Sequence, residues 1–334
     1  MVQIPLYEAG KLIFLKAITP IHVGTGRTYG EAVDLPIQRD EFGIPVIWGS
    51  SLKGAIRAQR ESIANQNLKR LIKAVFGPDE SRESEGIEGA SSISILDAKL
   101  VMIPVKALKG LYTYVTSNHL LQQFMNYLEI TKGCAKKHNV SNDICTCLRE
   151  LINIAKNVDE GHAITSSDKY TFTIDNTRKV ILNDQFYEIE IDKNLRELVS
   201  KCFGTILSPE EIERFIIVSD YDIHDLIKTS LQVITRVRLK YETKTVDTGP
   251  WTEEYLPSNT VLVAVILYSR PRMLRVCEEK EKLSQPVPEI CKELKEYDVT
   301  RIWNEILNLN EKYLILGGHE TIGKGILWVK SYEF

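Results

Sequence analysis

The stretch AVDLPIQRDEFGIPVIWGSSLKGAIRAQRE, Ala32 to Glu61, decides how this chain is read. Its first half is extended and punctuated, with Pro36, Gly43 and Pro45. Its second half turns helical. Ser50 can cap the helix, and Leu52, Ala55, Ile56 and Ile63 then recur at helical spacing. Gln59 interrupts that apolar face. Lys53, Arg57 and Arg60 fall on another face. A lysine in the first turn opposes the helix dipole. The placement makes sense if an anion sits at the helix start, where main-chain N–H groups point outward. A solvated basic face is the competing reading. Asp34, just before Pro36, reads locally as an Asx-turn residue.

Outward from this stretch, helices and strands mix. KLIFLKAITP (11–20) reads as a buried strand ended by Pro20, and a long glycine-punctuated loop links it to the helix. Loops of that length in a compact domain are functional or disordered, and the apolar residues here argue against disorder. LQVITRVRLK (231–240) reads as a strand with Ile234, Arg236, Arg238 and Lys240 on one face. That basic face suits either an edge strand protected by charge or a sheet end turned toward RNA. YETKTVDTGPWTEEYLPSNT (241–260) follows as a long hairpin before the strand VLVAVILY (261–268). Residues 77–92 read as an acidic flexible loop, and 130–215 as an insertion of short helices with a strand at YEIEI. No solenoid repeat is visible.

The 334 residues and 43% hydrophobic content suffice for a full core. The net charge of −3 excludes a globally basic protein but not a local basic groove. The longest apolar run is strand-sized, and MVQIPLYEAGK lacks the layout of a signal peptide, so a cytoplasmic protein is expected with no membrane partner. Three of the six cysteines cluster with a histidine: Cys134, His138, Cys145 and Cys147. Their ligand types suit a structural Zn2+, although C-x-C is tighter than the usual spacing. Free thiols or a disulfide are the alternatives.

GGHETIGKG (317–325) is one residue short of a P-loop. Glycine follows Lys324 where Ser or Thr would hold magnesium, and a strand follows where a helix is needed, which excludes a nucleoside triphosphatase of that type. What remains is a loop whose glycines let backbone approach a partner closely, a phosphate chain being one candidate, with Lys324 as the charge.

Together, TPIHVGTG, VDLPIQRD, GIPVIWGSSLKGAIR, TGPWTEEYLP and GGHETIGKG occur in the order seen in the RAMP superfamily of CRISPR-associated proteins. More narrowly, the chain resembles the repeated backbone subunit of type III-B (Cmr) RNA-targeting complexes. The motifs cover both ends of the chain, and 130–215 is unmatched. The resemblance implies an α+β fold: a single RAMP-type domain over 1–334, with a ferredoxin-like palm, an inserted helical segment at 130–215 and a β-hairpin thumb at 240–260. It implies copies stacked along a CRISPR guide RNA, other Cmr subunits as partners, and metal-dependent endonucleolytic cleavage of single-stranded target RNA at regular intervals. The family's catalytic aspartate falls on Asp34, and its accessory positions on His22, Glu253 and Tyr255.

The chemistry is consistent with that assignment. RNA supplies its own nucleophile, the 2′-hydroxyl, and splaying one nucleotide aligns it with the scissile phosphate. Asp34 suits anchoring of Mg2+ or Mn2+ better than general base work, because an ordinary aspartate titrates near pH 3.9. Ser50, Ser51, Lys53, Arg57, Arg236, Arg238, Lys240, Gly318, Gly323, Lys324 and Gly325 are the expected guide contacts, sequence-tolerant and salt-sensitive. The competing readings are a structural subunit without cleavage and a metal-independent, histidine-centred guide-processing nuclease.

Overall fold

The computed structural model describes residues 6–27, 32–78, 90–134 and 142–332. The acidic stretch 79–89 lies outside them. The first strand, β1 (Ala9–Ala17), is followed by the long loop, a short β2 (Val46–Ile47), and helices α1 (Gly49–Ile63) and α2 (Gln66–Phe76). Strands β3 (Ile93–Ile95), β4 (Ala98–Ala107) and β5 (Leu111–Thr116) lead to helices α3 (Asn118–Cys134) and α4 (Asn142–Ala155). Four strands come next: β6 (His162–Thr165), β7 (Phe172–Ile174), β8 (Thr177–Leu182) and β9 (Gln185–Ile191). Helices α5 (Leu195–Phe203) and α6 (Pro209–Ile212), strand β10 (Phe215–Val218) and helix α7 (Asp220–Ser230) lead to the ribbon β11 (Gln232–Leu239) and β12 (Val246–Tyr255). The chain closes with β13 (Val261–Tyr268), α8 (Met273–Lys282), α9 (Ile290–Leu294), α10 (Val299–Arg301) running into a π-helical turn (Ile302–Leu307), then β14 (Lys312–Ile315) and β15 (Ile326–Ser331).

The fold is α+β. One large sheet runs β14-β15-β1-β13-β4-β5-β10-β6-β9-β8-β7. Its central strands β1 and β13 are apolar because both faces are covered. Leu12, Phe14, Val263 and Val265 face one core with Leu121, Phe124 and Leu128 of α3. Ile13, Leu15, Leu262 and Ala264 face the other with Leu52 and Ile56 of α1. A period of two thus divides each strand between two layers, and each fully buried Leu or Ile contributes about 1.5–3 kcal/mol.

The sheet also bites its own tail. Ala107 at the end of β4 pairs with Leu182 of β8, so β4-β5-β10-β6-β9-β8 form a closed six-strand ring. The sequence reading placed only one strand in 130–215, whereas this segment supplies four, three of them ring members. β7 is only three residues long and β8 and β9 carry charges, with hairpin turns through the left-handed residues Asp175–Asn176 and Asn183–Asp184, so their pattern is weak without the partners that pair with them.

Two further expectations are corrected. Helix α1 starts at Gly49, not at a Ser50 cap: Trp48 is the cap residue, without a side-chain hydrogen bond. The Gly49 N–H donates to Asp97 Oδ1 at 2.7 Å, so a carboxylate of this chain already stands at the helix start. The second concerns two members of the expected zinc cluster. Cys147 forms a disulfide with Cys202, and Cys145 is a buried free thiol. Both face the apolar core between α4 and α5, and the disulfide occupies the Cys147 sulfur expected as a ligand. The Cys134 side chain and His138 lie outside the described residues. A second disulfide joins Cys277 to Cys291.

Candidate active site

The ribbon β11–β12 is a separate two-stranded sheet whose far end is solvent-exposed. At its near end, Ile21 and Leu256 exchange both main-chain hydrogen bonds at 2.9 Å. On the other side of that segment, the Gly318 N–H donates to the His22 carbonyl at 2.9 Å. Part of the 317–325 loop is therefore packed against this chain's own backbone. A Cβ on Gly317, at φ +90°, would lie 2.3 Å from the His22 oxygen, and only glycine permits that approach.

Side chains on β12 alternate. Trp251, Glu253 and Tyr255 share one face. The Trp251 indole N–H donates to Glu253 Oε1 at 2.8 Å, the Tyr255 hydroxyl donates to Glu253 Oε2, and Arg236 Nε of β11 lies 3.1 Å from Oε2. Burial pushes the Glu253 carboxyl up, but the Tyr255 and Trp251 donors and the charge of Arg236 outweigh it and hold the group below the ordinary glutamate value. Burial, and then the bond to Glu253, push the Tyr255 hydroxyl up, so it stays a donor.

His319 completes this network. Its Nδ1 is 2.8 Å from the Tyr255 oxygen and 3.3 Å from Glu253 Oε2. Its ring stacks on His22, centroids 5.3 Å apart and planes within 5°. His22 in turn has Nδ1 2.7 Å from the Glu254 carbonyl. Lys324 sits 5.5 Å above the Tyr255 ring. The sequence reading quoted the loop that carries His319 without selecting it. Its contact with His22 depends on a pairing across almost the whole chain.

Thr252 and Glu254 point the other way. Asp34 Oδ2 accepts from the Thr252 N–H at 2.8 Å and from its hydroxyl at 2.9 Å. The Asp34 N–H donates to the same hydroxyl at 3.0 Å. These bonds, the main-chain one first, then the hydroxyl and Arg27, hold the Asp34 carboxyl below its ordinary value. Glu254 accepts a two-pronged Arg39 at 2.7 and 2.9 Å and the Ile37 N–H at 3.1 Å. The two carboxylates thus fasten the 34–39 segment along β12. Asp34 opens on a cleft of about 350 Å³ that Arg27, Leu35, Arg238, Thr248, Gly249 and Trp251 also line.

The cleft's residues test whether a divalent cation fits. Among the described residues, no three His, Cys, Asp or Glu side chains converge as metal ligands, and Asp34 is the one carboxylate in the cleft lining. Mg2+ takes six oxygen ligands and keeps several waters. A cation here fits only as a shared ion, with Asp34 from this chain and the remaining oxygens from a bound substrate and water.

The expected guide contacts divide. Ser50 is exposed on α1, while Ser51 Oγ accepts from Gln38. Lys53 Nζ donates to Ser91 Oγ at 2.7 Å, and Arg57 pairs with Glu61 at 2.8 Å. Arg60 leaves the basic face entirely: it is buried and donates to the carbonyls of Glu305 and Ile306. Arg236 belongs to the Glu253 network, and Arg238 lies 3.7 Å from Asp247 in the cleft wall. Lys240 stands beyond the end of β11, at the exposed turn. Gly323 faces open space, and Gly325 packs against the Leu316 carbonyl.

Comparison with known proteins bears on this arrangement. A family model for the RAMP superfamily matches residues 14–328. The CRISPR system Cmr endoribonuclease Cmr4 of Pyrococcus furiosus is 35% identical over 329 residues, covering 96% of this chain and 95% of its own. The CRISPR system CMR subunit Cmr4 of Saccharolobus solfataricus is 30% identical over 349 residues, with 98% of each chain covered. Among solved structures, a chain of the type III-B Cmr-beta complex bound to cognate target RNA superposes with a TM-score of 0.72 at 28% identity, covering 98% of both chains. A chain of oligomeric Cmr4 from Pyrococcus furiosus superposes with a TM-score of 0.61 at 28% identity, covering 97% of this chain and 98% of the other.

Proposed function

This chain belongs to the RAMP superfamily, and from that premise we propose that it is the repeated backbone subunit of a type III-B effector complex, which binds guide RNA and cleaves complementary target RNA. The observation that carries the reading is the convergence on one strand, β12, of Asp34 with the Glu253–Tyr255–His319–His22 network, beside an arginine-lined cleft. The relative from Pyrococcus furiosus is named an endoribonuclease, and a similar chain was solved in a complex with target RNA. The ribbon β11–β12 serves as the thumb over a ferredoxin-like palm built on the central sheet, and 130–215 is an insertion within a single domain. Copies of the chain stack along the guide, with other Cmr subunits completing the complex. Among the described residues no helix is long and apolar enough to cross a membrane.

In this reading Lys53, Arg57, Arg238, Lys240 and Lys324 position phosphates, and base pairing supplies specificity. The cleft takes a splayed nucleotide, with Trp251 as a stacking surface. Asp34, fixed by Thr252, presents a hard, ionised oxygen to the scissile region, and Mg2+ or Mn2+ held there with RNA oxygens and water would supply charge stabilisation. Glu253, Tyr255 and His22 hold the facing wall of the site in one arrangement.

The test is reconstitution with guide RNA and partner subunits. Asp34→Asn should leave assembly and target binding intact and slow cleavage at least about 100-fold. Cleavage at the wild-type rate by that variant would refute the assignment, and undiminished cleavage in EDTA would refute the cation.

A further inference from the structure

Resting on that reading, we propose that the imidazole that faces the RNA in this chain is His319, which takes the proton from the 2′-hydroxyl, and that His22 is its buried support. The two rings are stacked, but they are not equivalent. His22 is only 7% exposed. Its Nδ1 is committed to the Glu254 carbonyl. Its Nε2 edge is covered by main chain, since a Cβ on Gly24 would come within 2.7 Å of it. His319 covers one of its faces, and the Tyr255 ring stands 5.3 Å away. No substrate atom reaches His22 without displacing one of these groups.

The His319 side chain is 27% exposed. The Tyr255 hydroxyl gives its proton to Glu253, so His319 Nδ1 must be the donor to the Tyr255 oxygen. That bond fixes the tautomer and leaves Nε2 as the ring's lone-pair nitrogen. A carboxylate acting through a hydroxyl therefore orients the ring, as a general base requires. The groups around it are Glu253 and Tyr255 from β12, Arg236 from β11, His22 from the segment after β1, and Lys324 from its own loop. Burial lowers the His319 pKa; Arg236, His22 and Lys324 act in the same direction, and Glu253 opposes them. The ring is thus neutral near pH 7 and able to accept a proton.

The step balances without any added oxidant or reductant. The 2′-hydroxyl proton passes to Nε2, and the 2′-oxygen–phosphorus bond forms as the phosphorus–5′-oxygen bond breaks. The departing oxygen takes a proton from water, giving a 2′,3′-cyclic phosphate and a 5′-hydroxyl, and the imidazolium returns its proton to solvent.

Position 319 has φ +68°, which asparagine and glycine tolerate best. In the complex reconstituted with guide and target RNA, His319→Asn keeps a donor for Tyr255 and lacks the titrating nitrogen. We expect single-turnover cleavage to fall about 100-fold or more, target affinity to stay within about twofold, and the acid limb of the rate profile to vanish. In the wild type that limb lies below the ordinary histidine value of about 6.5. His319→Gly should be slow and regain rate with added imidazole. A wild-type complex that cleaves, with a His319→Asn variant of equal rate and unchanged acid limb, overturns this role alone. A wild-type complex that does not cleave overturns this role and the nuclease reading together.

Discussion

Glu253 and Glu254 are consecutive, acidic and almost fully buried, at 2% and 6% exposure, yet they do opposite work. Glu253 sits among an indole, a phenol, an arginine and an imidazole on one face of β12. Glu254 points to the other face and clamps Arg39 and the Ile37 main chain, which fastens the Asp34 segment. One glutamate gathers four polar side chains around its carboxylate. The other holds a loop that must not move. A strand separates them at no cost, because neighbours along it face opposite sides.

The sharpest way to break this contrast is Glu254→Ala. It leaves Arg39 without its carboxylate and the Ile37 N–H without an acceptor. Loss of one partner of a buried pair costs about 3–5 kcal/mol, reduced here to about 2–3 because Arg39 is partly exposed. Denaturant unfolding should register that loss, and cleavage should fall with it. Glu253→Gln should be milder on folding, about 1 kcal/mol in the same measurement, while single-turnover cleavage drops tenfold or more at equal target affinity. A Glu253→Gln protein destabilised as severely as Glu254→Ala, with no rate loss beyond that, would erase the distinction. The smallest expected effect lies far from both, at Arg57. Its exposed pair with Glu61 contributes little, so Arg57→Ala should change stability by less than about 0.5 kcal/mol. Guide binding should weaken for all sequences alike, with the salt dependence reduced by about one counterion.

The same contrast explains what the sequence could disclose. β1, β13 and the α1 stripe were legible because their signals are local and their burial is complete. Arg60 was misplaced by its charge: it lies four residues after Ile56 and shares the buried face, where it satisfies the carbonyls of the π-helical turn. The local reading of Asp34 as an Asx-turn residue gives way to a long-range contact: its carboxylate accepts from the N–H and hydroxyl of Thr252, 218 residues away. His22, Glu253 and Tyr255 were legible only through the family resemblance. His319 was not, because its meaning lies in a ring stacked on it from the other end of the chain. The ring of strands was hidden for a similar reason, since its closure is a single pairing between Ala107 and Leu182.

That closure has a bearing on assembly. In the assembly proposed above, copies side by side on one RNA would meet at very high local concentration, where any open strand edge invites fusion of neighbouring sheets. The ring offers no edge of its own. At the far end of the sheet, Gln59 of α1 donates to the Tyr313 carbonyl of β14 at 2.6 Å. The residue that spoils an otherwise apolar helix face thus occupies one of the acceptors a neighbouring copy would need. In a crowded array, the closed ring and this capped carbonyl would leave fewer open acceptors for a neighbouring sheet.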